Sequence, residues 1–173
     1  ERLEISARER NEVYQKVVFY NHEWDNPKAL RKIGMITREE IRTLSECLFD
    51  MEVAVEVNSR IYEYDEVMII GPVFPHEVVG FSGGNKYLFP GVSGPEVLNF
   101  FHWLGAVVTN ARTIGHQWTP VRKVVDHAGS MVTVKKTCFA LVVNKKEFHG
   151  LYFGTPEEAW KEASAHSRLV NID

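Results

Sequence analysis

Residues 67–95 read VMIIGPVFPHEVVGFSGGNKYLFPGVSGP, and this stretch decides the predicted fold. Its first four residues are continuously apolar, which is typical of a strand buried on both faces of a parallel sheet. Six of the chain's 12 glycines then fall between Gly71 and Gly94. Because a glycine-rich loop after a buried strand is where α/β proteins bind ligands, we expect a functional site in this loop.

Helices and strands alternate on either side of this loop. Helices are predicted at residues 6–17, 37–49, 59–64, 93–104, 119–127 and from 155 onward. Strands are predicted at residues 17–20, 51–57, 67–70, 138–143 and 148–153, with a hairpin turn at 144–147. A Ser or Thr followed by Glu three residues later, the pattern of a capping box, is assigned at Thr37/Glu40, Ser93/Glu96 and Thr155/Glu158.

The alternation predicts one α/β domain spanning residues 1–173. We expect a mixed, mainly parallel sheet with flanking helices. The architecture would be Rossmann-like, with the long glycine-rich loop after a central strand. A chain of 173 residues with 45% hydrophobic and 25% charged residues has the balance of an ordinary globular domain.

Composition excludes several classes of function. Twenty Lys and Arg against 23 Asp and Glu give a net charge of -3, so no basic excess is present to neutralise phosphates, and nucleic acid is not a predicted partner. Cys47 and Cys138 lie far apart, which argues against a disulfide framework or a cysteine zinc site and favours the reducing cytoplasm. No apolar run reaches the ~18 residues of a membrane span.

The loop at residues 80–87, GFSGGNKY, invites comparison with a phosphate-binding P-loop. That motif requires Gly before its lysine and Ser or Thr after it, so that the backbone surrounds the phosphates and the hydroxyl holds magnesium. Here Asn85 precedes Lys86 and Tyr87 follows it. An ATP-dependent protein is therefore disfavoured.

Three residues in and after the loop are candidates for chemistry. Lys86 is either a solvated loop lysine or an anion clamp or covalent attachment point, since a desolvated amine is a nucleophile. His76 is either a solvated polar residue or a general acid/base, because its unperturbed pKa lies near neutrality. His102 is either a half-buried core histidine or a single imidazole ligand to a metal whose other ligands come from elsewhere.

The same residues resemble a known family. Residues 67–95 look like the signature of the nickel-pincer lactate racemase family in its N-terminal domain. That signature is a strand ending in Ile and Gly, a histidine, a GxSGGxK loop, PG and a helix. Residues 20–27 and 139–159 are similar to further segments of that family. The resemblance covers most of the chain from about residue 17.

The resemblance implies roles for individual residues. Lys86 would carry the tethered cofactor, a pyridinium mononucleotide with sulfur-bearing arms that hold nickel. Ser82, Gly83 and Gly84 would contact this cofactor. His102 would complete the nickel coordination, and His76 would be one of two acid/base histidines.

The implied reaction is racemisation or epimerisation of a lactate-like 2-hydroxy acid, with hydride transfer to the pyridinium ring. Two bases on opposite faces of the substrate suit such an inversion. The implied partners are the small hydroxy acid and the enzymes that build the cofactor.

Some features of the family pattern are missing. Residues 1–16 contain no histidine to serve as the second acid/base, and Asn85 stands where the family has arginine. The family's C-terminal domain is also absent. We therefore expect an incomplete N-terminal, cofactor-anchoring domain of a longer protein. The alternative is a non-catalytic α/β module derived from the family that binds a ligand or phosphate and leaves Lys86 unmodified.

Overall fold

The computed structural model describes residues 5–172, so residues 1–4 and 173 of the predicted domain lie outside the described part of the chain. The α-helices are α1 (Ala7–Glu12), α2 (Arg38–Leu44), α3 (Pro95–Val108), α4 (Asn110–Thr113), α5 (Pro120–Ser130) and α6 (Pro156–Asn171). The strands are β1 (Leu30–Ile36), β2 (Val53–Asn58), β3 (Glu66–Pro72), β4 (Pro75–His76), β5 (Gly80–Phe81), β6 (Lys135–Asn144) and β7 (Glu147–Gly154). Short 3₁₀ helices cover Pro27–Ala29, Ser59–Glu63 and Gly84–Tyr87.

The main sheet is mixed and has the strand order β3-β6-β7. Strand β6 runs parallel to β3 and antiparallel to β7. Two separate antiparallel pairs, β1-β2 and β4-β5, complete the strands of residues 5–172. Helix α6 packs on β6 and β7, and α3 packs on β2. The prediction of an α/β fold with a mixed sheet and flanking helices is confirmed.

The prediction of a mainly parallel sheet is wrong. Among the paired strands of the described residues, only β3 and β6 are parallel. Strands β6 and β7 are joined by two residues, and such a short connection permits only antiparallel pairing. The doubly wound parallel sheet of a Rossmann-like domain is not seen among these strands.

Two local predictions are also corrected. Residues 17–20, predicted as a strand, form no strand, whereas the strand β1 was not predicted. The helix α3 is capped by Gly94 rather than Ser93, and no side chain caps it. The Glu96 carboxylate instead accepts a hydrogen bond from the Ala54 N–H at 2.7 Å, which ties α3 to β2. The capping boxes at Thr37 and Thr155 are confirmed.

The segment between β3 and α3, residues 73–94, is compact and mostly buried rather than an open loop. It contains the β4-β5 pair and the 3₁₀ helix Gly84–Tyr87. Its apolar side chains Val79, Phe81, Leu88 and Phe89 belong to the hydrophobic core. Within residues 5–172, no helix has both the length and the apolar character needed to cross a membrane.

Candidate functional site

Lys86 lies on the 3₁₀ helix Gly84–Tyr87 and is half-buried. Its Nζ lies 5.7 Å from the centre of the Phe101 ring, which comes from α3. Burial lowers the pKa of the amine, the positive charge of Arg122 lowers it further, and Glu77 opposes the shift. A lysine in these surroundings has a larger neutral, nucleophilic fraction than an exposed one.

Ser82 is buried and uses its hydroxyl to shape the loop. Its Oγ donates to the Pro72 carbonyl at 3.1 Å and accepts from the Phe74 N–H at 3.0 Å. The Ser82 N–H also donates to the Phe74 carbonyl at 2.9 Å. These three bonds fasten the residues before Lys86 to the end of β3.

Gly83 and Gly84 are required by the backbone and by packing. Their φ angles are +86° and +58°, where L side chains are strained. A Cβ on Gly83 would lie 2.5 Å from Val73 Cγ2, and one on Gly84 would lie 2.9 Å from Trp160 Cβ and 3.0 Å from the Pro156 carbonyl oxygen. The family resemblance links both glycines to a cofactor, and the packing supplies a second reason for their presence.

Asn85 bonds residues of α5 and α6, whereas Lys86 contacts Phe101 of α3. Its side chain is fully buried, and its Nδ2 donates to Asp126 Oδ1 at 3.1 Å and to Glu157 Oε1 at 2.6 Å. Two carboxylates from α5 and α6 therefore bind the amide that stands at the family's arginine position. Burial raises the pKa of Asp126, and the Arg122 charge opposes that rise.

Arg122, on α5, is the buried charge beneath this loop, with 1% of its side chain exposed. Its Nη2 donates to the Phe81 carbonyl at 2.6 Å, and Nη1 donates to the Gly83 carbonyl at 3.3 Å. The guanidinium lies 4.0 Å from the centre of the Trp160 ring and 3.6 Å from Asp126 Oδ1. Burial lowers the pKa of Arg122 to about 10, so the side chain stays charged at neutral pH.

His76 lies on β4 with only 17% of its side chain exposed. Its Nδ1 accepts a hydrogen bond from the Val78 N–H at 3.1 Å, so the neutral ring carries its hydrogen on Nε2. Burial lowers the pKa of His76, the positive charge of Lys86 lowers it further, and the neighbouring Glu77 carboxylate opposes the shift.

His102 is exposed on α3. Its Nδ1 lies 2.9 Å from the Leu98 carbonyl oxygen, and since a carbonyl only accepts, Nδ1 carries the hydrogen. The lone pair is then on Nε2. This arrangement, with one ring nitrogen donating to a carbonyl and the other unprotonated, is the usual one for histidine ligands of metals.

Phe101 brings the three predicted residues together. Its ring centroid lies 6.4 Å from that of His76 and 5.1 Å from that of the adjacent His102, and Lys86 approaches its face. Residues 5–172 contain no group of three or more His, Cys, Asp or Glu side chains arranged to hold a metal ion. A metal on His102 would therefore need further ligands from outside this set of described residues.

Sequence reasoning missed Phe101, Trp160 and Arg122. The sequence carried a weak signal for Arg122. It follows the apolar Val121 in a predicted helix and lies four residues before Asp126, the spacing of an i,i+4 charge pair. No spacing could have shown that its carbonyl partners lie in the glycine loop. His22, treated as a weak candidate, bonds the Ser93 carbonyl and Asn58.

A comparison with protein families gives a match over residues 2–115 to the lactate racemase N-terminal domain. The chain belongs to this family. No protein of curated function matches the sequence significantly.

Two solved structures share the fold of this lactate racemase N-terminal domain. A crystal structure of a protein from Thermotoga maritima is 30% identical, with a TM-score of 0.84 over 96% of this chain and 41% of the other. The lactate racemase apoprotein from Thermoanaerobacterium thermosaccharolyticum is 18% identical, with a TM-score of 0.69 over 93% of this chain and 37% of the other. The chain thus spans about two fifths of the length of each structure.

Proposed function

We propose that this chain is the cofactor-anchoring part of a nickel-pincer racemase or epimerase that acts on a lactate-like 2-hydroxy acid. Membership of the lactate racemase N-terminal domain family supports the proposal. The observation that carries it is the convergence of His76, Lys86 and His102 around Phe101. These are the residues whose chemistry such a cofactor requires.

The side chains present fit the cofactor. Lys86 offers a half-buried amine with a lowered pKa, which suits covalent attachment. His102 offers an unprotonated, exposed Nε2, which suits a single bond to nickel, an ion that imidazole binds well. When bound, the pincer would supply a hydride acceptor for the substrate's Cα hydrogen.

His76 would act at the substrate hydroxyl. Since its Nδ1 is occupied by the Val78 N–H, the neutral ring presents an Nε2–H. In this tautomer it would donate a hydrogen bond from Nε2 to the substrate oxygen. To give a proton to the keto oxygen, the ring would first take up a second proton, which turns Nδ1 into a donor and breaks its bond with the Val78 N–H. The matching base would come from outside residues 1–16, which contain no histidine.

The test is to produce the full-length protein in cells supplied with nickel and the cofactor-building enzymes. Intact mass and nickel content are then compared between the wild type, Lys86→Ala and Lys161→Ala. Lys161 is an exposed lysine on α6 and is the matched control. We expect an adduct that maps to Lys86, with about one nickel per chain as a single-histidine site implies, in the wild type and the control only.

If Lys86→Ala keeps both the adduct and the nickel, that result contradicts the proposed role of Lys86 as the anchor. No adduct in any protein, under conditions that load another family member, would leave the non-catalytic ligand-binding module as the better account.

A further inference from the structure

Three successive carbonyls of the glycine segment are bonded to two side chains from distant helices. Arg122 on α5 donates to the carbonyls of Phe81 and Gly83, with the Nη2 bond to Phe81 only 2.6 Å long. The indole N–H of Trp160 on α6 donates to the Ser82 carbonyl between them at 2.9 Å. Buried backbone groups need partners, and here charged or aromatic side chains supply all three.

The Gly83 carbonyl links this arrangement to Lys86. It accepts the backbone N–H of Lys86 at 3.2 Å, and it also accepts Nη1 and Nη2 of Arg122 at 3.3 and 3.4 Å. The position of the lysine backbone therefore depends on an oxygen that the guanidinium holds. The planar guanidinium of an arginine can donate to two carbonyls at once, which the ammonium of a lysine cannot do with the same geometry.

Arg122 also places its positive charge close to Lys86, because its guanidinium and the Lys86 N–H bond the same Gly83 carbonyl oxygen. Trp160 stacks on the guanidinium, and Asp126 at 3.6 Å is its ion partner. Among the described residues, Arg122 from α5 lowers the pKa of the Lys86 amine and Glu77 from the segment after β3 raises it, while the charge of Lys86 lowers the pKa of His76. Of these, Arg122 is the permanent cation.

We propose that Arg122 is the positioning residue of Lys86. It fixes the Gly83 carbonyl to which the Lys86 backbone N–H donates, and it keeps a buried positive charge near the lysine amine. The positioning role of Arg122 rests on the proposed function only for its purpose, which is to hold a neutral lysine amine in a fixed place for covalent attachment of the cofactor. The contacts that carry it are independent of any cofactor.

Two variants separate charge from packing. Arg122→Lys keeps the charge and loses the fork, whereas Arg122→Gln keeps an amide donor and loses the charge. The chain, purified without nickel or cofactor, is acetylated with acetic anhydride across a range of pH. The lysine nitrogen forms the amide bond, acetate leaves, and the proton goes to water. Peptide mass spectrometry gives the rate at Lys86 relative to the exposed Lys161.

We expect Arg122→Gln to move the midpoint of the Lys86 pH–rate curve upward, and Arg122→Lys to leave it near the wild-type value. Each unit of upward shift slows acetylation about tenfold at a pH below both midpoints. Hydrogen exchange at the Lys86 amide should become faster in both variants, because both lose the fork. Val121→Ala, at the adjacent buried position, is the control for destabilisation alone and should leave the midpoint unchanged.

A purely structural role for Arg122 would give the same midpoint in the Lys and Gln variants, and that result would overturn the proposal. A wild-type midpoint at the ordinary lysine pKa of about 10.4 would overturn it without any variant, even if Arg122→Gln does not fold. Neither result bears on nickel loading, and an unloaded Lys86 in the previous experiment would leave this midpoint test intact.

Discussion

The Nδ1–H of His102 donates to the Leu98 carbonyl oxygen over 2.9 Å, one turn earlier on α3. This bond holds the ring of an exposed residue, and in the neutral ring it leaves the lone pair on Nε2. A histidine held in this way needs no rearrangement before it binds a metal. The orientation is set by the helix itself and not by a neighbouring domain.

The first prediction concerns nickel. In protein loaded with cofactor, His102→Ala should retain the adduct at Lys86 and lose nickel. The loss of nickel affinity should exceed the roughly 10–100-fold that removal of an outer-shell partner of a metal ligand costs. Intact mass and elemental analysis check the two parts separately. His149→Ala, an exposed histidine on β7, is the control. Full nickel content in His102→Ala would show that the metal is bound elsewhere.

The second prediction concerns pH. Burial lowers the pKa of His76 in the folded protein, so the unfolded chain binds more protons between that pKa and about 6.5. Stability therefore rises with pH through this window, and on acidification it is lost within the window and changes no further below the folded-state pKa. His76→Asn, whose Oδ1 can still accept from Val78, should lose this part of the pH dependence.

Urea unfolding of His76→Asn and the wild type at pH 7.5 and pH 5 measures the effect. The exposed His149→Asn should behave as the wild type. Equal loss of stability on acidification in the wild type and His76→Asn would contradict the assignment.

The third prediction concerns Gly84. An alanine there must adopt a φ of +58° and brings its Cβ against Trp160 and the Pro156 carbonyl. The left-handed conformation costs about 1–2 kcal/mol, and overpacking adds about 1–3 kcal/mol, so Gly84→Ala should lower the free energy of unfolding by at least ~2 kcal/mol. Denaturant titration checks this value.

The control for that prediction is Gly34→Ala. Its Cβ would meet only the flexible side chain of Met131, at 2.7 Å, and its φ is not positive. Methionine adapts readily to such changes, so the loss should be clearly smaller. Similar losses at both glycines would mean that the backbone at Gly84 tolerates a side chain.

The fourth prediction concerns the cap of α6. Thr155 Oγ1 accepts from the Glu158 N–H at 3.2 Å, and the Glu158 carboxylate returns to the Thr155 N–H at 3.2 Å. Thr155→Ala should lower the free energy of unfolding by about 1 kcal/mol. Ser6→Ala removes the same type of cap from α1, which buries no residue, and should leave global unfolding unchanged. Thermal unfolding of both variants distinguishes them, and equal losses would contradict the prediction.

Local chemistry made parts of the fold predictable. The capping boxes at Thr37 and Thr155 use partners three residues apart, and the apolar runs in β3 and β6 are continuous, so short stretches of sequence specify them. Strand β1 escaped prediction because Leu30–Ile36 contains charged residues and a glycine, and its pairing with β2 includes a register shift. Its structure depends on a partner strand more than on its own pattern.

The residues of the candidate site also divide into those that the sequence could indicate and those that only the structure reveals. His76, Lys86 and His102 stand in a stretch with a distinctive pattern and could be singled out. Phe101 could not, because an aromatic residue on a helix is ordinary core material until its neighbours are known. Arg122 carried only the weak i,i+4 signal of its pairing with Asp126, since its partner Phe81 lies 41 residues away.

The two side chains that hold the glycine segment both come from later in the chain: Arg122 is 41 residues after Phe81, and Trp160 is 78 residues after Ser82. During synthesis, Lys86 leaves the ribosome well before either of them. Its loop can reach the folded geometry only after α6 has been made and has packed. Attachment of the proposed cofactor to Lys86 in this geometry would therefore follow the synthesis of α6.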